Sequence, residues 1–223
     1  MTASVNGNSK WGGILSLWGF VLLWNSGFIA AEFVLPYAAP FTQLFWRYLA
    51  LSCLLLAALL ATRRLSWPGG RTLAVNALVG VLSHAVWLSS VLVAIAGGVQ
   101  AGIVALVVSL QPLATGALSG AVTGERTSAR KWLGLIVGFC GVAATVGVRM
   151  QASMAADWFY YALPLLAALA MTAATLIQRR VELGGGARRC GLWETLFHQA
   201  CASAVLLLPL ALLLERLETR WTL

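Results

Sequence analysis

Seven long apolar stretches separated by short polar loops make up most of this chain. They fall at 11–31, 41–62, 72–96, 99–122, 131–149, 158–178 and 192–214. Each is close to the roughly 20 residues that an α-helix needs to cross a bilayer. None shows the strict apolar–polar alternation over about ten residues that marks a strand of a membrane β-barrel. A helix also satisfies every backbone N–H within its own segment, which lipid cannot do. The pattern predicts an all-α membrane protein, a multi-pass helical bundle of about seven transmembrane helices. The polar MTASVNGNSK precedes the first stretch, which is longer than the 7–15-residue apolar core of a signal peptide. It therefore reads as a retained helix.

Composition strengthens this picture. Of 223 residues 60% are hydrophobic and only 10% charged, with a mean hydropathy of +0.85. A soluble domain runs nearer half apolar and a quarter charged, so a soluble enzyme is excluded. The net charge of +8 gains its meaning from where it sits. Lys10, Arg63, Arg64, Arg71, Arg126, Arg130, Lys131, Arg179, Arg180, Arg188 and Arg189 fall in loops on one side, against Arg149, Arg216 and Arg220 on the other. Eleven against three predicts a cytoplasmic N-terminus in a cell inner membrane, and with seven spans an external C-terminus. No basic run interleaved with aromatics lies outside the apolar stretches, so nucleic acid is not an expected partner.

The cysteines imply neither a disulfide nor a metal. Cys53, Cys140 and Cys201 lie within spans, Cys190 lies in a loop on the cytoplasmic side, and no C-x-x-C occurs. No P-loop, G-x-G-x-x-G or H-E-x-x-H is present. No cofactor, metal or catalytic residue is expected, and the chain reads as no enzyme. Pairing Ser26 with His84 or His198 as a hydrolase lacks an acidic orienter and an oxyanion motif.

The polar residues inside the spans are the candidates for chemistry. Arg47 lies about 9 Å in from the outer end of helix two by helical rise, where a cation is costly in lipid. It either snorkels to the interface or faces a cavity, where it would attract carboxylate or phosphate; Gln43, four residues earlier, shares its face. His84 is the titratable group nearest the midplane, on a stripe with Asn76, Gly80 and Trp87. It is either an interhelical hydrogen-bonding residue or a substrate contact or proton relay. No carboxylate stands at mid-depth, which argues against exchange of protons for organic cations in the manner of small multidrug exporters. On helix four, Gln111, Thr115 and Ser119 cluster on one side, with Gly116, Gly120 and Gly124 on another, suited to close packing. Pro112 frees the carbonyl of Val108, giving either a polar ligand beside Gln111 or a simple kink. Gly134, Gly138 and Gly141 of helix five read as packing. Trp24, Asn25 and Ser26 lie in the outer half of helix one, and Trp24 is deep enough for a cavity wall rather than the interfacial Trp belt.

The chain also echoes itself. LFWRYLALSCLLL (44–56) aligns with LFHQACASAVLLL (196–208) at an offset of 152, placing Gln199 opposite Arg47 on a stripe with Thr195 and Ser203. LLWNSGFIAAEFV (22–34) compares with LAMTAATLIQRRV (169–181) at an offset of 147. Helices six and seven thus read as copies of helices one and two. An odd number of helices per unit turns the second copy upside down, as in the inverted repeats of secondary transporters. The expected organisation is a complete five-helix unit at 11–149 and a partial second one, two helices, at 158–214.

WNSGFIAAEFVLPYAAPFTQLFWRY (24–48) and GIVALVVSLQPLATGALSGAVTGERTSARKWLGLIVGFCGVAATV (102–146) resemble the EamA branch of the drug/metabolite transporter superfamily. The resemblance rests on Trp24-x-Ser26-x-Phe28, Pro40 to Arg47, Gln111-Pro112, the turn Gly124-Glu125-Arg126 and the glycines of helix five. It implies a secondary transporter of small organic metabolites, amino-acid-like or drug-like, working by alternating access. The substrate would sit among helices one to four, contacting Trp24, Asn25, Ser26, Arg47, His84, Trp87 and Gln111, with Gln199 facing them. Such proteins usually have ten helices, and the chain is expected to lack the last three. The alternative is therefore a truncated, non-transporting scaffold or a partner-dependent half, with a homodimer or a complementing chain filling the open groove. The other expected partners are a small-molecule substrate and the lipid bilayer. A seven-helix retinal protein is excluded by the predicted orientation and by the lack of a lysine in helix seven.

Overall fold

The computed structural model describes residues 8–124, 128–152, 157–184 and 190–217. Every regular element among them is helical. They form seven helices: α1 (Asn8–Val34), α2 (Pro40–Ala61), α3 (Gly70–Ala96), α4 in two pieces (Ala101–Val108 and Gln111–Thr123), α5 (Ala129–Ala152), α6 (Trp158–Leu183) and α7 (Leu192–Glu215). Among the described residues six are long and apolar enough to cross a membrane, and α5 has similar length. The protein is a multi-pass helical membrane protein. Readings placed on residues 1–7, Glu125, Arg126, Arg188, Arg189 and 220–223 lie outside the described residues.

Two helices depart from regular geometry. The middle of α3, Val81–Val86, is a π turn, and α4 breaks at Ser109 and Leu110. Pro112 explains the break: it has no N–H for the carbonyl of Val108 and disfavours helical geometry at the residue before it. The chain tightens there, with Leu110 N–H donating to Val107 O at 3.1 Å. The helix then resumes as Ala114 N–H donates to Leu110 O at 2.9 Å.

α3 is the central element. Over half of its apolar window (56%) is buried in the bundle, against 6% for α1. It packs on α6 and on α7, α2 lies against α7, and α4 lies against α6. α5 packs mainly on α4, while α1 leans on α4 and α3. Helices six and seven are thus interleaved with the first five. One core cluster joins α3, α4 and α6 through Val91, Ala94, Val104, Val107 and Ala167. A second joins α2, α3 and α7 through Leu44, Tyr48, Leu92, Ala200 and Leu207.

Carboxylates close the helix starts. The first N–H groups of a helix have no partner within it and carry partial positive charge. Glu215, ending α7, accepts from Phe41 N–H at 3.0 Å and Thr42 N–H at 2.7 Å at the start of α2. Glu32 of α1 accepts from Ala101 N–H, starting α4, at 3.3 Å. Glu194 accepts from Gly191 N–H at 2.8 Å and from Ser66 N–H, in the α2–α3 loop, at 3.0 Å. The two glutamates of α7 therefore tie both of its ends to the flanks of α2.

Candidate functional site

The site begins at the crossing of α3 and α7. Gly80 ends the regular first part of α3 and faces Gln199 of α7. A Cβ on Gly80 would lie 2.6 Å from both the Cα and the carbonyl oxygen of Gln199, so the two backbones touch. Ser203, one turn further along α7, donates its hydroxyl toward Gly80 O at 3.1 Å and Gln199 O at 2.8 Å. The π turn follows directly and carries Ser83 and His84. Such widened turns occur frequently at functional sites, and here the turn aims His84 at α7. Its Nε2 is 3.4 Å from Oε1 of the buried Gln199, and the imidazole donates in this contact when Nε2 carries a proton. The Tyr48 ring of α2 lies 5.4 Å from the imidazole, tilted by 43°. Three helices thus meet at one histidine.

A cleft of about 450 Å³ reaches this histidine from the end of the bundle that carries the basic loops. Its floor is Ser83, His84 and Gln199, and its wall is the second half of α6, from Met171 to Glu182. The eleven helical steps between them give a depth of about 16 Å at the helical rise. Gln178 Nε2 donates to Glu182 Oε1 at 3.3 Å near the mouth, beside Arg179. The volume lies within the range of small-molecule pockets, roughly 300–1,000 Å³. The mouth presents a cation and a carboxylate, and the floor presents an imidazole and an amide. A small polar molecule entering the cleft finds charges of both signs first and directional hydrogen-bonding groups at mid-depth.

The residues expected from the sequence fall into three groups. His84 and Gln199 come together at the cleft floor. Trp24 and Trp87 form a pair with ring centroids 5.5 Å apart, and the indole N–H of Trp87 is buried with no hydrogen-bond partner. The others stand apart from the cleft lining. Asn25 donates to Val21 O at 2.8 Å and Ser26 to Leu23 O at 2.9 Å, both exposed on α1. Gln111 donates its amide to Thr115 Oγ1 at 2.9 Å on its own helix. Arg47 is exposed.

Sequence reasoning missed Tyr48, Ser83, Thr175, Gln178 and Glu182 as parts of the site, and read Arg179 only as a topology marker. The spacing of Thr175, Gln178, Arg179 and Glu182, three to four residues apart on one helix, was the signal available. The glycine readings also shift. Gly116, Gly134 and Gly141 meet nothing within 4 Å, and Gly138 meets only Leu110 and Leu113 side chains at 3.4 Å. The tight approaches are at Gly80 and Gly97. Among the described residues no group of three His, Cys, Asp or Glu side chains could hold a metal.

Comparison with known proteins returns no match among curated proteins and none among solved structures. One family model does match, that of the EamA-like transporters, over residues 11–147. That span holds α1 to α4 and most of α5, including the π turn with His84 and the Gly80 crossing. The chain belongs to the EamA-like transporter family, and it is a membrane transporter of small solutes.

Proposed function

We propose that the protein is a secondary transporter that moves small organic metabolites, amino-acid-like or drug-like, across the cell inner membrane by alternating access. The observation that carries this reading is the one-sided cleft. It opens at the basic-loop end, reaches His84 and Gln199 at mid-depth, and stops against a buried apolar core. With the N-terminus cytoplasmic, the mouth faces the cytoplasm. A solute site near the midplane, exposed to one side at a time, is what alternating access requires.

In this reading His84 and Gln199 hold the solute at the floor, and Arg179 with Glu182 select it at the mouth. The Trp24–Trp87 pair lines the route next to α1. Arg47, Asn25, Ser26 and Gln111 join the path when the helices rearrange. Residues 11–149 form one repeat and 158–214 two helices of an inverted second. Catalysis has no part in the scheme.

A second reading, a half that depends on a homodimer partner or a complementing chain, draws on Arg47. It is exposed within an apolar helix and has no ion-pair partner among the described residues, an arrangement that is costly facing lipid.

Reconstitution of the 223-residue chain into liposomes, with a panel of radiolabelled amino acids, tests the leading reading. Concentrative or exchange flux should appear and fall at least tenfold in His84→Ala and Gln199→Leu. Flux that survives both substitutions removes the cleft floor from the path. Flux that appears only when a second, complementing chain is added supports the half-transporter.

A further inference from the structure

The cleft between α3 and α6 is open at one end and shut at the other. Beyond His84 and Met171 the two helices close through Val91, Ala94 and Ala167, all buried, with Tyr161 beside them. The seal ends at the far rim, where the ring of Tyr160, in the first turn of α6, lies on Gly97, the residue after α3. A Cβ on Gly97 would overlap ring atoms Cγ, Cδ1 and Cε1 of Tyr160.

The backbone does not need glycine at this position. Gly97 has φ −76° and ψ 4°, which any residue adopts, and it is the next residue, Gly98 at φ 96°, that takes the left-handed turn. What position 97 needs is the absence of a side chain, and the tyrosine ring is what fills the space. A second feature acts on the same ring. Pro164 is buried inside α6 and has no N–H to offer the carbonyl four residues earlier, which is that of Tyr160 itself. The segment 158–163 is therefore tied to the rest of α6 by one helical hydrogen bond fewer, at the residue type where helices bend.

We propose that residues 158–163 are the gate at the end opposite the cleft, hinged at Pro164 and held shut by Tyr160 seated on Gly97. The proposal rests on the alternating-access reading and supplies its second opening. When the segment swings about Pro164, the ring leaves Gly97 and uncovers Val91 and Ala94. The sealed half of the α3–α6 seam then joins the far aqueous side. Gly97 and Tyr160 act as positioning residues: they set which end is open and need not touch the solute.

Site-specific labelling of the full chain in membrane vesicles tests this. The reporter is Ala94→Cys, at a fully buried site in the seal, with Ala167→Cys on α6, equally buried, as a second reporter. A membrane-impermeant maleimide is added from the side opposite the basic loops, and each site is read by peptide mass spectrometry. Native Cys190, in the α6–α7 loop, reports the other side. Both reporters should label slowly in the otherwise unchanged chain. Tyr160→Ala, which removes the ring without creating a clash, should raise the rate at least fivefold, and Gly97→Ala, which evicts the ring, should do the same. Rates within twofold of the unchanged chain for both variants, at both reporters and in monodisperse protein, overturn the gate. Ser83→Cys in the cleft, probed from the Cys190 side, checks the underlying reading separately. Protection of Ser83→Cys from both sides removes the open cleft, whatever the far rim does.

Discussion

Replacing Gly80 by alanine loads a helix crossing at which two backbones touch. The new Cβ would meet the Cα and O of Gln199 at 2.6 Å, and ordinary van der Waals contact begins near 3.4 Å, so α3 and α7 must separate by about 0.8 Å. The atoms in the way are backbone, and no rotamer change relieves them. Separation stretches the Ser203–Gly80 hydrogen bond from 3.1 Å to about 3.9 Å, beyond useful range. It also carries Gln199 away from His84, where the contact is already long at 3.4 Å. Overpacking costs about 1–3 kcal/mol, and a rigid backbone obstacle belongs at the upper end. Interhelical hydrogen bonds in membranes are worth about 0.6 kcal/mol each. The gain in helix propensity from glycine to alanine returns about 1 kcal/mol. The net expectation is a loss of about 2–3 kcal/mol. At about 2–4 °C per kcal/mol for a chain of this size, the midpoint in detergent should fall by about 5–10 °C. Size-exclusion thermal stability of purified protein measures this. Gly102→Ala is the control: Gly102 lies inside a helix with nothing within 4 Å of its would-be Cβ, and it should melt with the parent or slightly above. A Gly80→Ala protein that melts with the parent would refute the backbone contact and the site geometry built on it.

Three further outcomes follow from the same geometry. Glu215→Ala leaves the N–H groups of Phe41 and Thr42 uncapped and unties α7 from α2; it should cost roughly 0.5–2 kcal/mol, read as a lower melting midpoint, with Glu215→Gln milder because its amide oxygen still accepts. Arg47→Ala should reduce flux of anionic and zwitterionic solutes severalfold while the protein still inserts, compared by proteoliposome flux against yield in the membrane fraction; unchanged flux for every solute would show that Arg47 only snorkels. Single cysteines introduced into the 63–71 and 179–189 loops should resist impermeant maleimide in whole cells and react in inverted vesicles, and external labelling of either loop sinks the proposed topology.

The family resemblance was legible because its carriers are local. Trp24, Pro40 with Arg47, and Gln111-Pro112 are read from neighbours in the chain, and the family match over 11–147 agrees with them. The break in α4 was half legible in the same way, since Pro112 leaves the carbonyl of Val108 without a donor wherever it sits. The π turn of α3 carried no comparable mark. VLSHAV contains neither proline nor glycine, and the turn packs against both α6 and α7, elements distant in the chain.

The site was legible in part. His84 and Gln199 stood out because polar side chains are expensive in apolar helices, and that cost is a property of composition and depth. Which of the other polar residues join them depends on helix rotation. Asn25, Ser26 and Gln111 were candidates beside His84 in the chain, yet each bonds within its own helix.

The glycines show the same division. Seven glycines were read from spacing as packing residues or as parts of a polar stripe, and the closest contact among them is at Gly80. Gly97, tighter still against the Tyr160 ring, was not singled out at all. By itself the sequence determined that the chain is a bundle of membrane helices of a known transporter family, because hydrophobic length and local proline and glycine chemistry are written along the chain. Only the tertiary structure decided that α3 is the centre, that α6 and α7 complete the cleft, and that Gly80 and Gly97 are the points of contact. In lipid the faces of an apolar helix are nearly equal in hydrophobic energy, and packing between particular side chains chooses among them.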